Sequence, residues 1–390
     1  MEAIISWLTT IVPGMAPTTA RLIVYVLYSG VLAFAAPVVL VVAYTYMERK
    51  VLARIQDRIG PNQAGPLGLL QGFADAIKML TKEDVTPTNA DRIVFNIAPA
   101  LSTIAVLLVF VVLPVAPGVI GSDLPMGVIY VVAVGGLGEL AVLMAGWASN
   151  NKFALLSAFR AVAQLVAYEI PMVIAILIVT LAAGSMKMGD IVAAQDMPFI
   201  VTLPIAFVIF FLASIAEIGR SPFDLLEAES EIVAGYHVEY SGMKFAFFYI
   251  AEYVHVFIAS GIAATLFLGG WRGPGAGPDT ILGVILGFIY FFVKANILVF
   301  VMMWVRGTLF RFRIDHLLDF SWKFLVPVSL LTLLAVALVI KLPVLGSPLL
   351  RWAGMLLANI AVAVVSLGAV AFAARRSRSA ALRGVAGVDG

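Results

Sequence analysis

The segment KFAFFYIAEYVHVFIASGIAATLFL, Lys244–Leu268, is the key to the architecture. It exceeds the roughly 20 residues that a helix needs to cross a bilayer. It is also too continuous in its apolar character for a strand of a membrane barrel. On either side of it, eight more segments have the same character: Leu22–Met47, Ile93–Pro117, Met126–Ala148, Arg160–Gly184, Phe199–Ile218, Asp279–Val305, Ser321–Ile340 and Leu349–Ala373. The whole chain of 390 residues is 62% hydrophobic and only 12% charged, about half the charge of a soluble protein. Such a chain is neither a water-soluble domain nor a disordered one. The expected fold is an all-α polytopic transmembrane protein, with eight core spans and a ninth C-terminal one. Met1–Ala20, broken by Pro13, Gly14 and Pro17, reads as an interfacial arm without the basic start of a signal peptide. The expected parts are thus 1–21 arm, 22–340 core, 341–374 added span and 375–390 basic tail. No internal repeat is visible.

Basic residues set the expected orientation. With the N-terminus outside, nineteen of the 25 Lys and Arg fall in loops on one side, five on the other, and Lys294 lies within a span. The richer side is cytoplasmic by the positive-inside rule. The chain has no cysteine and only three histidines, His237, His255 and His316. That leaves no thiolate for an iron–sulfur cluster or a zinc site.

Ionisable side chains inside spans are costly and tend to be functional. Glu139 lies mid-span in the third segment, Glu169 about ten residues into the fourth, Glu217 at the end of the fifth and Glu252 about eight into the sixth. At about 1.5 Å per helical residue, Glu169 and Glu252 sit roughly 12–15 Å below the basic face. Acids stepped in depth from one side suggest an aqueous half-channel. The competing reading is that each pairs with Lys294, or bonds a backbone group, and merely fastens helices.

The loop after the fifth span is dense in acid. Glu217, Asp224, Glu227, Glu229, Glu231 and Glu239 are six of the chain's 23 acids, beside Arg220. Crowding is expected to couple the titrations of the loop acids and raise their pKa values. Interleaved Pro222, Phe223, Leu225, Leu226, Ile232 and Val233 suggest that the loop is packed rather than solvated. After the first span, Gly60-Pro61-Asn62 and Gly65-Pro66 break the chain, and helical spacing resumes from about Leu67 to Thr81. Gln71, Asp75, Lys78 and Lys82 form a polar stripe opposite Leu70, Phe73, Ala74, Ile77 and Leu80. This is an amphipathic helix for the membrane interface: either a surface helix on lipid, or a gate for a lipid-soluble ligand.

These motifs carry a resemblance. Glu48-Arg49-Lys50, Arg58-Ile59-Gly60-Pro61-Asn62, Gly68 through Lys78, Gly146 through Lys152, Ala167-Tyr168-Glu169, Pro222-Phe223-Asp224 through Glu231, Val233 through Tyr236, Glu239 through Gly242, and Trp304 through Arg313 resemble the H subunit of proton-pumping NADH:quinone oxidoreductase, respiratory complex I, the counterpart of mitochondrial subunit 1. The resemblance covers about residues 20–340. It implies a heel subunit in the cell (inner) membrane, C-terminus cytoplasmic, joining the other membrane-arm subunits to the peripheral subunits that carry the terminal iron–sulfur cluster. It also implies a substrate quinone, ubiquinone or menaquinone, with no metal, flavin or nucleic acid bound by this chain. By similarity, Arg49, Arg58, Phe73, Asp75, Lys78, Arg220 and Asp224 match positions at or near the quinone tunnel. Glu139, Glu169, Glu217, Glu227, Glu229, Glu231, Glu239 and Glu252 match an acidic path that would couple quinone reduction to proton translocation. The chain departs from the pattern at Gly72, expected to loosen the amphipathic helix, at Gly219, which loses a polar side chain, and at Phe310. Two rivals stand beside this reading, and a purely structural membrane scaffold is a last option that the intramembrane acids disfavour. One is the equivalent subunit of a related complex with another electron donor, of membrane-hydrogenase type. The other is a cation/proton antiporter, which would transport by itself in proteoliposomes.

Overall fold

The computed structural model describes residues 35–226, 229–278, 280–342 and 348–386, with a few isolated positions before residue 35. The interfacial arm, the start of the first expected span and Glu227 lie outside the described residues, and the side chains of Glu229 and of the basic tail are likewise not described. Among the described residues the secondary structure is helical, with no strand.

In chain order the helices are α1 (Ala36–Ile55), α2 (Gln71–Thr81), α3 (Arg92–Val109), α4 (Gly127–Ala148), α5 (Lys152–Ala183), α6 (Met188–Ala193), α7 (Phe199–Thr202), α8 (Pro204–Ile218), α9 (Glu229–Ile232), α10 (Gly242–Phe267) and α11 (Ile281–Thr308). Then come α12 (Ile314–Lys341), which contains a π-helical turn at Ser321–Leu325, and α13 (Pro348–Ala386). Seven of them, α3, α4, α5, α10, α11, α12 and the Leu350–Gly368 part of α13, are long and apolar enough to cross a membrane, and α8 is a shorter apolar helix. The boundaries shift where local chemistry dictates. The second expected span stops as a helix at Val109 rather than Pro117. The fourth begins eight residues early, at Lys152, because Asn151 caps it by accepting the Phe153 N–H at 2.9 Å. The fifth breaks at Leu203, because Pro204 has no N–H to continue the helix.

Helix α10, formed by the segment quoted first, is the axis of the bundle. In α10, 83% of the apolar window is buried, against 17% in α13. Around α10 pack α3, α11, α1, α8 and α2. The other apolar helices expose one side, including Val38, Leu140, Ile289, Leu334 and Val364, as a lipid-facing belt requires.

The loop after α8 is packed, as its pattern suggests. Phe223, Leu225 and Ile232 are buried. Gln164 of α5 donates to Ala216 O at 2.6 Å and Phe223 O at 2.7 Å, and Ser157 donates to Leu226 O at 3.0 Å. Gly219 adopts φ +75° at the C-cap of α8. A left-handed cap favours glycine, and it turns the chain so that Arg220 points back into the bundle.

Candidate functional site: a buried arginine cluster opening on a carboxylate-lined cavity

The site grows from Arg220, which is 6% exposed. Its Nη1 donates to both carboxylate oxygens of Glu48 at 2.6 Å, and its Nε lies 2.8 Å from Glu252 Oε1. Its guanidinium sits over the Tyr253 ring, 4.5 Å from the centroid. Arg306 also pairs with Glu48. Glu48 is 4% exposed and stands on the buried face of α1, one turn after Tyr44. Burial opposes a charge on Arg220, but Glu252 and Glu48 outweigh it and hold the guanidinium well above its ordinary range.

Two threads leave this cluster. One runs to the amphipathic helix. Arg49 bonds Asp75 at 2.7 Å and lies in hydrogen-bonding reach of Tyr249, whose hydroxyl is 3.1 Å from that of Tyr253. Asp75 is further held by Gln71 at 3.3 Å and Lys78 at 3.6 Å. Thus Gln71 and Asp75 of the polar stripe face the bundle, while Lys78 and Lys82 are exposed, as are Leu70, Phe73, Ile77 and Leu80. Gly72 does not loosen the helix: it is buried where α2 meets α1, and a Cβ there would lie 3.1 Å from Val42 Cα.

The other thread enters the membrane region. Glu252 lines a cavity of about 100 Å³ together with Glu139, Glu217, His255 and Tyr236. A second cavity of about 40 Å³ is lined by Glu169, Ser214, Glu217 and His255. Glu139, Glu169 and Glu217 make no hydrogen bond or ion pair among the described residues. Nor does Lys294 fasten any of them. Its ammonium donates instead to Leu268 O (2.8 Å), Gly270 O (3.0 Å) and Arg272 O (2.8 Å), clamping the end of α10.

The remaining sequence candidates lie elsewhere. Glu231 pairs with Arg160 at 2.7 Å and Arg311 at 3.3 Å. The Arg160 hydrogen bond and these cations hold its carboxyl below the usual range, reversing the rise expected from crowding. Glu239 accepts from Asn151 at 2.6 Å, in an open cleft of about 840 Å³ beside Trp147 and Lys152. Arg58 is exposed and donates to Gln56 at 2.8 Å. Asp224 lies near enough to Glu252 to act on it electrostatically. So four of the eight acids share the cavities, and two form loop contacts apart from them. Sequence reasoning gave no role to Glu48, Tyr249, Tyr253, His255 or Arg306. A signal for Glu48 existed: with Leu40 and Tyr44 it repeats every four residues on one helical face.

Residues 29–337 match the NADH dehydrogenase family. The chain belongs to that family. It is a membrane protein by its apolar helices and by this membership. Among its relatives in the family, the NADH-quinone oxidoreductase H subunit of Dehalococcoides mccartyi (strain CBDB1) is 47% identical over 87% of this chain and 92% of its own length. The corresponding H subunit of Geobacillus kaustophilus is 47% identical over 80% of this chain and 92% of its own. That of Bacteroides thetaiotaomicron is 41% identical over 85% and 95%. The NADH dehydrogenase family core therefore spans α1 to α12, and the match ends before α13.

Proposed function

We propose that this chain is the membrane subunit of an NADH–quinone oxidoreductase that walls the quinone chamber and links quinone reduction to proton movement. The observation that carries the reading is the unbroken polar thread. It runs from Asp75 and Arg49 through Tyr249, Tyr253 and Arg220 to Glu252, and from there to the cavities of Glu139, Glu217 and Glu169.

The chemistry follows from charge. A quinone enters beside α2, whose apolar face suits the membrane interface and whose polar face lines the entrance. It takes two electrons from a cluster held by a peripheral subunit and two protons from the chamber, giving the quinol. Each electron adds negative charge near Arg49 and Arg220. Arg220 then shares its field between the reduced quinone and its carboxylates, so the balance on Glu48 and Glu252 changes. Glu252 faces both Arg220 and the cavity, so it passes that change to Glu217, Glu139 and Glu169. Coupled titration of close carboxylates makes the response cooperative.

The test is Glu217→Gln in the assembled complex. We expect NADH oxidation by ferricyanide to persist, while quinone-linked turnover and proton uptake fall by about 100-fold or more, the scale of losing a proton-transfer group. Wild-type turnover and stoichiometry would overturn the reading.

A further inference from the structure

His255 is the one histidine inside the bundle that none of the above uses. It follows Glu252 by three residues on α10, so the two share a helical face. Its ring borders both cavities, the 100 Å³ one with Glu252 and Glu139 and the 40 Å³ one with Glu169. Glu217 also borders both. Other buried polar side chains near it on α10 are tied to protein: Ser260 to Met302 Sδ at 3.7 Å and Thr265 to Gly261 O at 2.8 Å. His255 makes no hydrogen bond to protein among the described residues. His237 is also unpaired among the described residues, but it is packed between rings, whereas His255 borders two cavities where water can meet its ring nitrogens and offset the cost of an unpaired polar group.

We propose that His255 hands protons between the two cavities, from the Glu252–Glu139 side to the Glu169 side, alongside Glu217. This rests on the carboxylate path proposed above. A water needs about 10–15 Å³ of such space, so the smaller cavity admits at least one and the larger several. In the relay, water in each cavity carries the proton between His255 and the acids that line it. Neutral imidazole donates from one nitrogen and accepts at the other. It takes a proton at the accepting nitrogen and releases the other into the second cavity, with no net change once it returns to its starting tautomer. An ionised carboxylate only accepts. The titratable groups facing His255 are Glu139 of α4, Glu169 of α5, Glu217 of α8, Glu252 of α10 itself and Tyr236 of the 3₁₀ turn Gly235–His237. From α3 the cavity presents Ser102.

The experiment compares His255→Asn, His255→Glu and Glu217→Gln in the assembled complex in membranes. It follows quinone-linked turnover and proton uptake against pH, with ferricyanide reduction as the measure of assembly. We expect His255→Asn to lower turnover about tenfold and flatten its pH profile, less than the roughly 100-fold of a sole acid–base group because Glu217 works alongside it. We expect His255→Glu, which titrates but fits worse than Asn, to recover most of the rate. A merely structural histidine would give the opposite order. If His255→Asn does not assemble, His255→Gln serves in its place. Wild-type behaviour of the amide variant, or a Glu variant no better than the amide, overturns the relay. If Glu217→Gln is impaired while the amide variant is normal, His255 alone is excluded. If Glu217→Gln is itself normal, the carboxylate path falls, and the relay with it.

Discussion

Arg220, buried, and Lys294, half-buried, show how differently two cations serve one bundle. Arg220 offers a planar fork to two carboxylates, Glu48 and Glu252, a geometry that lysine cannot reproduce. Replacing it with Met leaves Glu48 facing Arg306 alone and Glu252 without its cation. Breaking a buried pair from one side costs about 3–5 kcal/mol. We expect Arg220→Met to accelerate thermal inactivation of the complex and to abolish quinone-linked turnover. Arg220→Lys should restore part of the stability and little of the turnover. Lys294 predicts the converse. It holds three carbonyls and no acid, so Lys294→Met should cost about 2 kcal/mol, the scale of a charge-assisted hydrogen bond. Turnover per assembled complex should be unchanged, measured after normalising to ferricyanide activity. A specific loss of proton uptake in Lys294→Met would show that this lysine belongs to the proton path.

Among the elements, the segment between α8 and α10 is held by packing as much as by charge. His237 is wedged between Tyr236 and Phe245, and its Nδ1 is buried with no partner among the described residues. Burial pushes its imidazole down to about 4 from 6.5. A depressed histidine is neutral when folded and takes up a proton more readily when released. Its contribution is therefore present above about pH 6.5 and is lost as the pH falls toward 4. Hydrogen exchange over residues 235–240 should quicken across that window, and His237→Phe should remove the dependence. The amphipathic helix offers a second check. Leucine at Gly72 would drive side-chain atoms into the Val42 backbone, an overpacking cost of about 1–3 kcal/mol. We expect Gly72→Leu to lift α2 from α1, separate Asp75 from Arg49, and quicken tryptic cleavage after Lys78 and Lys82, whose side chains already stand exposed. The existence of this helix and its two faces were legible in the spacing of Gln71, Asp75 and Lys78. Its start was not, because the Pro66–Gly68 turn lies inside the same apolar pattern. The loop acids illustrate a similar limit. Sequence reveals that they are crowded, but only the fold brings Arg160 and Arg311 to Glu231.

For the chain as a whole, legibility divides along the same line. Long apolar runs announce helices, because a bilayer leaves the backbone no alternative. The intramembrane acids announce themselves by their cost. Convergence of Glu48 from α1, Arg306 from α11 and Tyr253 from α10 on one buried cluster around Arg220 joins residues far apart in the chain. No local pattern encodes these contacts. Helix α13 stands at the other extreme. It lies beyond the family match at residues 29–337, packs on α12, α7 and α8, and reaches the core through Met355, Val362 and Asn359, the last donating to Thr202 O at 3.4 Å. None of its described residues lines either carboxylate cavity. We therefore expect a chain ended after residue 342 to assemble and to keep quinone-linked turnover and proton uptake within about twofold of the full chain. The thermal inactivation temperature should drop modestly, since the lost helix buries little of its own surface. Selective loss of turnover with ferricyanide activity intact would show instead that α13 holds α7 and α8 in the geometry on which Glu217 depends.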